Sequence, residues 1–438
     1  MLLRFAAANH RSILEPVELS MIALDTDRPP VKRFNSLNEG VLSIAGIYGA
    51  NASGKSNVLD SILWLSSAVN DSLRLWDQFI PRDPFRFHED TAAPSFFEVE
   101  MIVRSIRYAY SIELDDERVI SEVLIGYPER KPRAILRRSG MKLELNRRVG
   151  GSTAVNELMT NTTLALSIAM RLSIDEIEPF ARALAGMSSL GVRSMKRDPR
   201  SLFAGTLLRR MGARLTEQLF VDGREREVQP TLFDDSEIAI EDPRKPSYNA
   251  ALALLRHADL GIDGVEVIEE SVPTDPRAVR RTVKLLHRVG DRRIPLEMVN
   301  ESEGTQTWFR LIGPVLRAIQ RGQIAIIDEI DASLHPRLSA ILLELFQDPE
   351  TNPLNAQLIF TTHDTSLLNH LNRDEVWITE KTPEGATQLI ALADYGGEKV
   401  RRSLNLERAY LQGRFGGVPE ADQSRLLRAL RMLAGDSQ

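Results

Sequence analysis

A chain of 438 residues with 43% hydrophobic and 26% charged residues has the ordinary composition of a globular protein with room for two or three domains. It contains no cysteine, which excludes disulfides, thiolate zinc sites and a cysteine nucleophile, and fits a reducing, cytoplasmic setting. The formal net charge of −6 gives no bulk case for a nucleic-acid partner, and no apolar run approaches the ~20 residues that a membrane helix needs.

The opening MLLRFAAANHRS has a short apolar patch broken by Arg4 and Asn9, unlike a secretory signal. VLSIAGIY (41–48) is almost continuously apolar, the pattern of a strand buried on both faces. GANASGKS (49–56) follows and fits G-x-x-x-x-G-K-[ST]; after it Val58, Leu59, Ile62, Leu63 and Val69 recur at helical spacing. Strand, glycine loop and helix in that order make a phosphate loop, whose backbone N–H groups converge on an anion at a helix N-terminus. Gly49, Asn51, Ser53, Gly54, Lys55, Ser56 and Asn57 are the expected nucleotide contacts, with Lys55 on the β/γ-phosphates and the Ser56 hydroxyl on Mg²⁺. FFEVEMIV (96–103) and RYAYSIEL (107–114) read as strands, with DDER (115–118) as a turn.

From about 150 to 265 the pattern turns helical, interrupted by a polar, proline-punctuated loop near 220–246. The chain therefore divides into an N-terminal lobe (1–145), a helical insertion (146–265) and a C-terminal lobe (266–438). In the last zone QIAIIDEID (323–331) and QLIFTTHD (357–364) are buried strands each followed by a helix, which implies an α/β fold around a parallel sheet. Asp328 is placed to hold the Mg²⁺ shell and Glu329 to orient or deprotonate a water. Adjacent strand residues point to opposite sides, so this division of labour requires the chain to bend just there. His363 is expected as a polar contact to the γ-phosphate, and His335 in DASLHP caps or packs a turn. In NESEGTQTW (300–308) Ser302 is placed to cap a helix starting near Thr305, which Gly313-Pro314 should kink. Basic clusters at Arg130–Arg138, Arg193–Arg200 and Arg277–Arg293 read first as solvated faces. The tail SRLLRALRML (424–433) carries an apolar stripe that suits either core packing or a docking surface.

These motifs in this order resemble the ABC-type ATPase heads of the SMC, RecF and OLD group, over residues 1 to about 125 and about 265 to 380. The resemblance implies an ABC-type P-loop NTPase head with a helical insertion, binding ATP and Mg²⁺. ESEGT (301–305) sits where such heads carry a signature motif, whose serine and glycine touch the γ-phosphate held by the opposite subunit. Carried over, Ser302 and Gly304 act in trans, which implies a homodimer or a higher homo-oligomer. Glu303 stands where glycine or a polar residue is usual. NHRSI (9–13) resembles the N-x-R-S element that brings an arginine, here Arg11, to the phosphates, although His10 replaces a frequent aromatic residue. The glutamine loop falls on Gln78 or on Glu122.

A narrower resemblance joins these motifs to TEK (379–381) and YLQGRFGGVP (410–419). The set looks like a prokaryotic family of compact ABC-like AAA ATPases that includes subunits of two-gene anti-phage systems of the RloA/AbiL and PARIS (AriA) types. It implies ATP hydrolysis through Glu329 and His363, with output delivered by a separate effector, a nuclease or toxin. Only 75 residues follow His363, with no D-x-D pair, so nuclease activity in this chain is not expected. The alternative is a RecF-like DNA-binding ATPase of repair or recombination, using Arg277–Arg293.

Overall fold

Six consecutive buried residues, Ile44–Gly49, demand strand partners on both edges and apolar cover on both faces, and the computed structural model supplies both. The structure describes residues 1–28, 30–34, 37–87, 93–190, 212–222, 248–272, 275–395 and 405–417. The expectations for Arg193–Arg200, for most of 220–246 and for the 424–433 stripe concern residues outside that set.

The chain opens with β1 (Leu2–Ala8) and β2 (Val17–Ser20), then the short β3 (Ile22–Ala23), β4 (Lys32–Arg33) and β5 (Gly40–Val41). β6 (Ile44–Gly49) leads through the glycine loop into α1 (Lys55–Leu75). Next come β7 (Ser95–Val103), β8 (Ile106–Leu114), β9 (Val119–Tyr127), β10 (Arg133–Ser139) and β11 (Lys142–Leu145). Helices α2 (Ser152–Leu158), α3 (Ala165–Arg171) and α4 (Glu178–Ala185) precede β12 (Ser188–Leu190). Residues 212–222 form α5, and Tyr248–Ala258 forms α6. A meander of β13 (Ile262–Val272), β14 (Asp275–Val289) and β15 (Arg292–Glu297) ends before α7 (Glu303–Arg321). The last elements are β16 (Ile324–Ile327), α8 (Pro336–Gln347), β17 (Gln357–Thr361), β18 (Val376–Lys381), β19 (Thr387–Ala391) and α9 (Leu406–Leu411).

A six-stranded sheet runs β12-β16-β17-β6-β18-β19, parallel except for β19 at its edge. Its strand alternation separates two cores. Ala45, Ile47, Ile324, Ile326 and Ile359 face the core that holds α1, whereas Ile44, Tyr48, Ala325, Ile327 and Phe360 face the one that holds α7 and α8. Over the α1 side lies an antiparallel seven-stranded sheet, β11-β10-β9-β8-β7-β1-β2. The zone 146–265 contributes α3 and α4 to the α1 core, through Leu166, Ile168 and Phe180, and also places β12 beside β16.

Glu122 does not substitute for a glutamine-loop residue. It is fully buried on β9, accepting from the Tyr110 hydroxyl at 2.9 Å and from the Ala165 and Leu166 amides at 2.8 Å each. It thus caps α3, with the buried Arg138 guanidinium 3.6 Å away. Gln78 is exposed beyond the far end of α1, whose axis carries the chain roughly 30 Å from Lys55.

Helix α7 continues through Gly313-Pro314 instead of stopping there. The buried Thr216 hydroxyl from α5 is wedged into its ladder, donating to the Phe309 carbonyl at 2.6 Å and accepting from the Gly313 amide at 2.9 Å. A side chain therefore completes the backbone pairing where the proline disturbs it.

Candidate nucleotide site

The glycine loop turns at the C-terminal edge of the parallel sheet, where α/β folds place ligands. Gly54 sits at φ +106, and a Cβ there would drive into the Thr387 side chain. Ser53 Oγ lies 2.6 Å from Thr379 Oγ1, so β18 braces the loop from its side. Lys55 is buried at the first position of α1, and its ammonium donates to the Gly49 and Ala50 carbonyls at 2.9 and 3.0 Å. Burial pulls its pKa below the usual lysine range, against the opposing pull of Asp328, Glu329 and Asp331.

Across the sheet, Ser56 Oγ donates to Asp328 Oδ1 at 2.9 Å, bringing the two expected Mg²⁺ ligands together. A hydroxyl and a carboxylate oxygen at that separation form the hard-oxygen pair a magnesium ion takes, so the residues fit the ion. Thr361 at the end of β17 donates to Asp328 Oδ1 at 2.6 Å and accepts from the Glu329 amide at 2.7 Å. The bend required between the two acids is present: β16 ends at Ile327 and Glu329 adopts φ +52.

Asp331 organises the next layer. Its Oδ1 accepts from Thr362 Oγ1 at 2.7 Å and from the His363 amide at 3.2 Å, leaving His363 exposed at the sheet edge. His335 accepts from the Arg337 amide through Nδ1 and caps α8. Ser302 caps α7, its Oγ accepting from the Thr305 amide at 3.1 Å, and is exposed. Glu303 turns sideways, receiving the Ser333 hydroxyl at 3.1 Å, so its charge is held by the 331–336 turn of the same chain. Ser302 and Gly304 thus belong to a helix start docked on that turn, where a Cβ on Gly304 would meet the Ser333 carbonyl at 3.2 Å.

A family model for "AAA domain, putative AbiEii toxin, Type IV TA system" matches residues 44–145 and 193–369, well over half of the chain. The chain belongs to this AAA-domain family. Its fold is an α/β P-loop NTPase fold, as the order of the parallel strands and the family match both require. Among solved structures, that of "the SmcHead bound to the C-winged helix domain of ScpA" is similar at 14% identity, covering 89% of this chain and 96% of that one with a TM-score of 0.41. No curated protein matches.

In this AAA-domain chain the N-terminal loop is latched onto the glycine loop. Asn57 Nδ2 donates to Ser12 Oγ at 2.5 Å, Ser12 Oγ lies 2.7 Å from Thr387 Oγ1, and Thr387 Oγ1 donates to the Ser53 carbonyl at 2.9 Å. Arg11 Nε approaches the buried Asp60 carboxylate at 2.9 Å, and His10 Nε2 shares the same oxygen at 2.9 Å. His10 is fully buried against Trp64 and Phe97, so it fills an aromatic niche as a ring. Arg11, Ser12, Asn57, Asp83 and Phe87 line a cleft of about 430 Å³. Thr361, Asp60 and Thr387 are residues around the candidate site that sequence reasoning missed, and Asp331 entered it only as the start of DASLHP. The local signals are that motif and the Thr-Thr pair before His363; the others depend on strand order.

Proposed function

We propose that this AAA-domain chain is a Mg²⁺-dependent ATPase of ABC type that pairs head-to-head around ATP and regulates a separate effector, a nuclease or toxin, in anti-phage defence. The observation that carries this reading is the joint placement of Ser56, Asp328 and Glu329 through Thr361, with the bend that separates the two acids. Lys55 and the loop amides bind the β/γ-phosphates. Ser56 and Asp328 hold the magnesium ion, which when bound neutralises phosphate charge. Glu329 orients the attacking water and accepts its proton, and His363 contacts the γ-phosphate. Arg11 lies beside the cleft that would take the rest of the nucleotide. Ser302 and Gly304, exposed at a capped helix start, reach the γ-phosphate held by a second copy. The family's description, which names a putative toxin of a type IV toxin–antitoxin system, supports an effector-linked role. Residues of the β13–β15 meander are internally balanced: Arg281 pairs with Glu269 at 3.0 Å and Lys284 with Glu297 at 3.1 Å. That balance favours the effector reading over the RecF-like one, in which the basic region tracks DNA. Among the described residues no helix is long and apolar enough to cross a membrane.

Glu329→Gln is expected to retain ATP but to slow hydrolysis ~100-fold or more. In that variant the particle mass should double on adding MgATP. A mass that never depends on nucleotide would falsify the paired-site reading. Lys55→Ala should remove both binding and the mass change.

A further inference from the structure

YLQGRFGGVP is a sequence signature that none of the proposed catalytic roles uses, and its described part, residues 410–417, folds onto the back of the glycine loop. The Tyr410 hydroxyl donates to the Gly417 carbonyl at 3.0 Å, and Gly417 lies against Gly49, since a Cβ on it would stand 3.4 Å from the Gly49 Cα. Its ring meets that of Tyr48, the residue before the loop, with centroids 6.0 Å apart. Gly417 donates its amide to Glu380 Oε1 at 3.0 Å, and Glu380 directly follows Thr379, the residue opposite Gly49 in the sheet. Gly416 sits at φ +70, and a Cβ there would overlap the Glu380 carboxylate. Phe415 is buried, with its carbonyl held by the Tyr395 hydroxyl at 2.7 Å. At its other end the segment reaches the 3₁₀ helix Thr365–His370, just past His363: Asn369 Nδ2 donates to Glu407 Oε2 at 2.8 Å.

One short segment thus touches the first residue of the phosphate loop and the element that follows the proposed γ-phosphate contact. We propose that Asn405–Gly417 is a clasp that positions Gly49, with Tyr410 and Glu380 as positioning residues, and that nucleotide occupancy and clasp closure are coupled. This rests on the nucleotide reading above. Coupling is reciprocal: if the closed clasp favours the nucleotide-ready loop, nucleotide tightens the clasp.

The full chain tests this with a magnesium complex of a non-hydrolysable ATP analogue. Tyr410→Phe keeps the ring but removes the hydrogen bond that holds Gly417 against Gly49, and should weaken analogue binding ~3–10-fold, with turnover at saturating ATP unchanged. Glu380→Ala should do the same, while Glu380→Gln, whose amide oxygen still accepts from Gly417, should bind like the parent. Amide exchange across 405–417 should slow when the analogue binds to the parent and not to Tyr410→Phe, with melting curves confirming that each variant is folded. If the parent binds but neither variant changes affinity and the segment's exchange ignores the analogue, the clasp is wrong and the nucleotide reading stands. If the parent itself does not bind, the nucleotide reading fails first.

Discussion

The hydroxyl of Thr361 sits 2.6 Å from the Asp328 carboxylate and receives the Glu329 amide at 2.7 Å, so one side chain fixes both the oxygen proposed to bind the metal and the bend that turns Glu329 out of its strand. Thr361→Val preserves shape and removes the hydroxyl. We expect hydrolysis to fall ~10-fold or more while nucleotide affinity changes little, because misplacing the reacting groups costs rate before binding. Single-turnover rates set against titrated affinity would check this; equal rates in parent and variant would remove Thr361 from the mechanism. Glu122 makes the opposite kind of prediction. Its carboxylate faces Arg138 and three hydrogen-bond donors in a closed interior, so Glu122→Ala should cost ~3–5 kcal/mol of stability. Denaturant titration measures that loss, and at temperatures where the variant remains folded its nucleotide affinity should match the parent.

At the level of elements, α7 links the exposed Ser302 cap to a buried break at Gly313-Pro314, and α5 supplies the hydroxyl that bridges it. Thr216→Val leaves the Phe309 carbonyl and the Gly313 amide without that partner, for an expected loss of ~1–3 kcal/mol in denaturant titration. Thr216→Ser keeps the hydroxyl and should recover most of it. What sequence reading can and cannot reach divides along the same line. β6, the glycine loop, α1, β16 and β17 are legible because each is a local pattern of apolar runs and punctuation. The Ser302 cap and the bend at Glu329 are legible as chemical requirements of neighbouring residues. The Thr216 wedge, Thr387 under Ser53 and the Asp60 anchor of Arg11 are not, since a polar side chain announces no partner in a distant element. Glu122 illustrates the hazard: in sequence it is an acid at a plausible distance from the loop, and only the packing of α3 shows that it serves the interior.

At the scale of the whole molecule, the proposed pairing depends on a surface that each chain would present and could not use alone. Ser302→Arg should leave ATP binding to the monomer intact yet abolish the mass increase of Glu329→Gln, because the substitution adds bulk at the helix start proposed to face a second copy. Glu303→Gln removes a negative charge near the expected γ-phosphate and should strengthen ATP-driven pairing, most clearly at low salt. Analytical ultracentrifugation of both variants in the Glu329→Gln background would report either result. The sheet order carries a further consequence, for the birth of the protein. β6 lies between β17 and β18, and both of these neighbours are made more than 300 residues after it. A nascent chain emerging from the ribosome therefore displays a finished G-x-x-x-x-G-K-S sequence long before anything holds it in shape. Until Thr361 has been synthesised that apolar strand has neither sheet neighbour, and until Lys381 it still lacks one, so it must be shielded from aggregation. A truncated product that keeps the entire motif would thus be expected to bind no nucleotide, which confines any ATP-driven signal to molecules translated through β18.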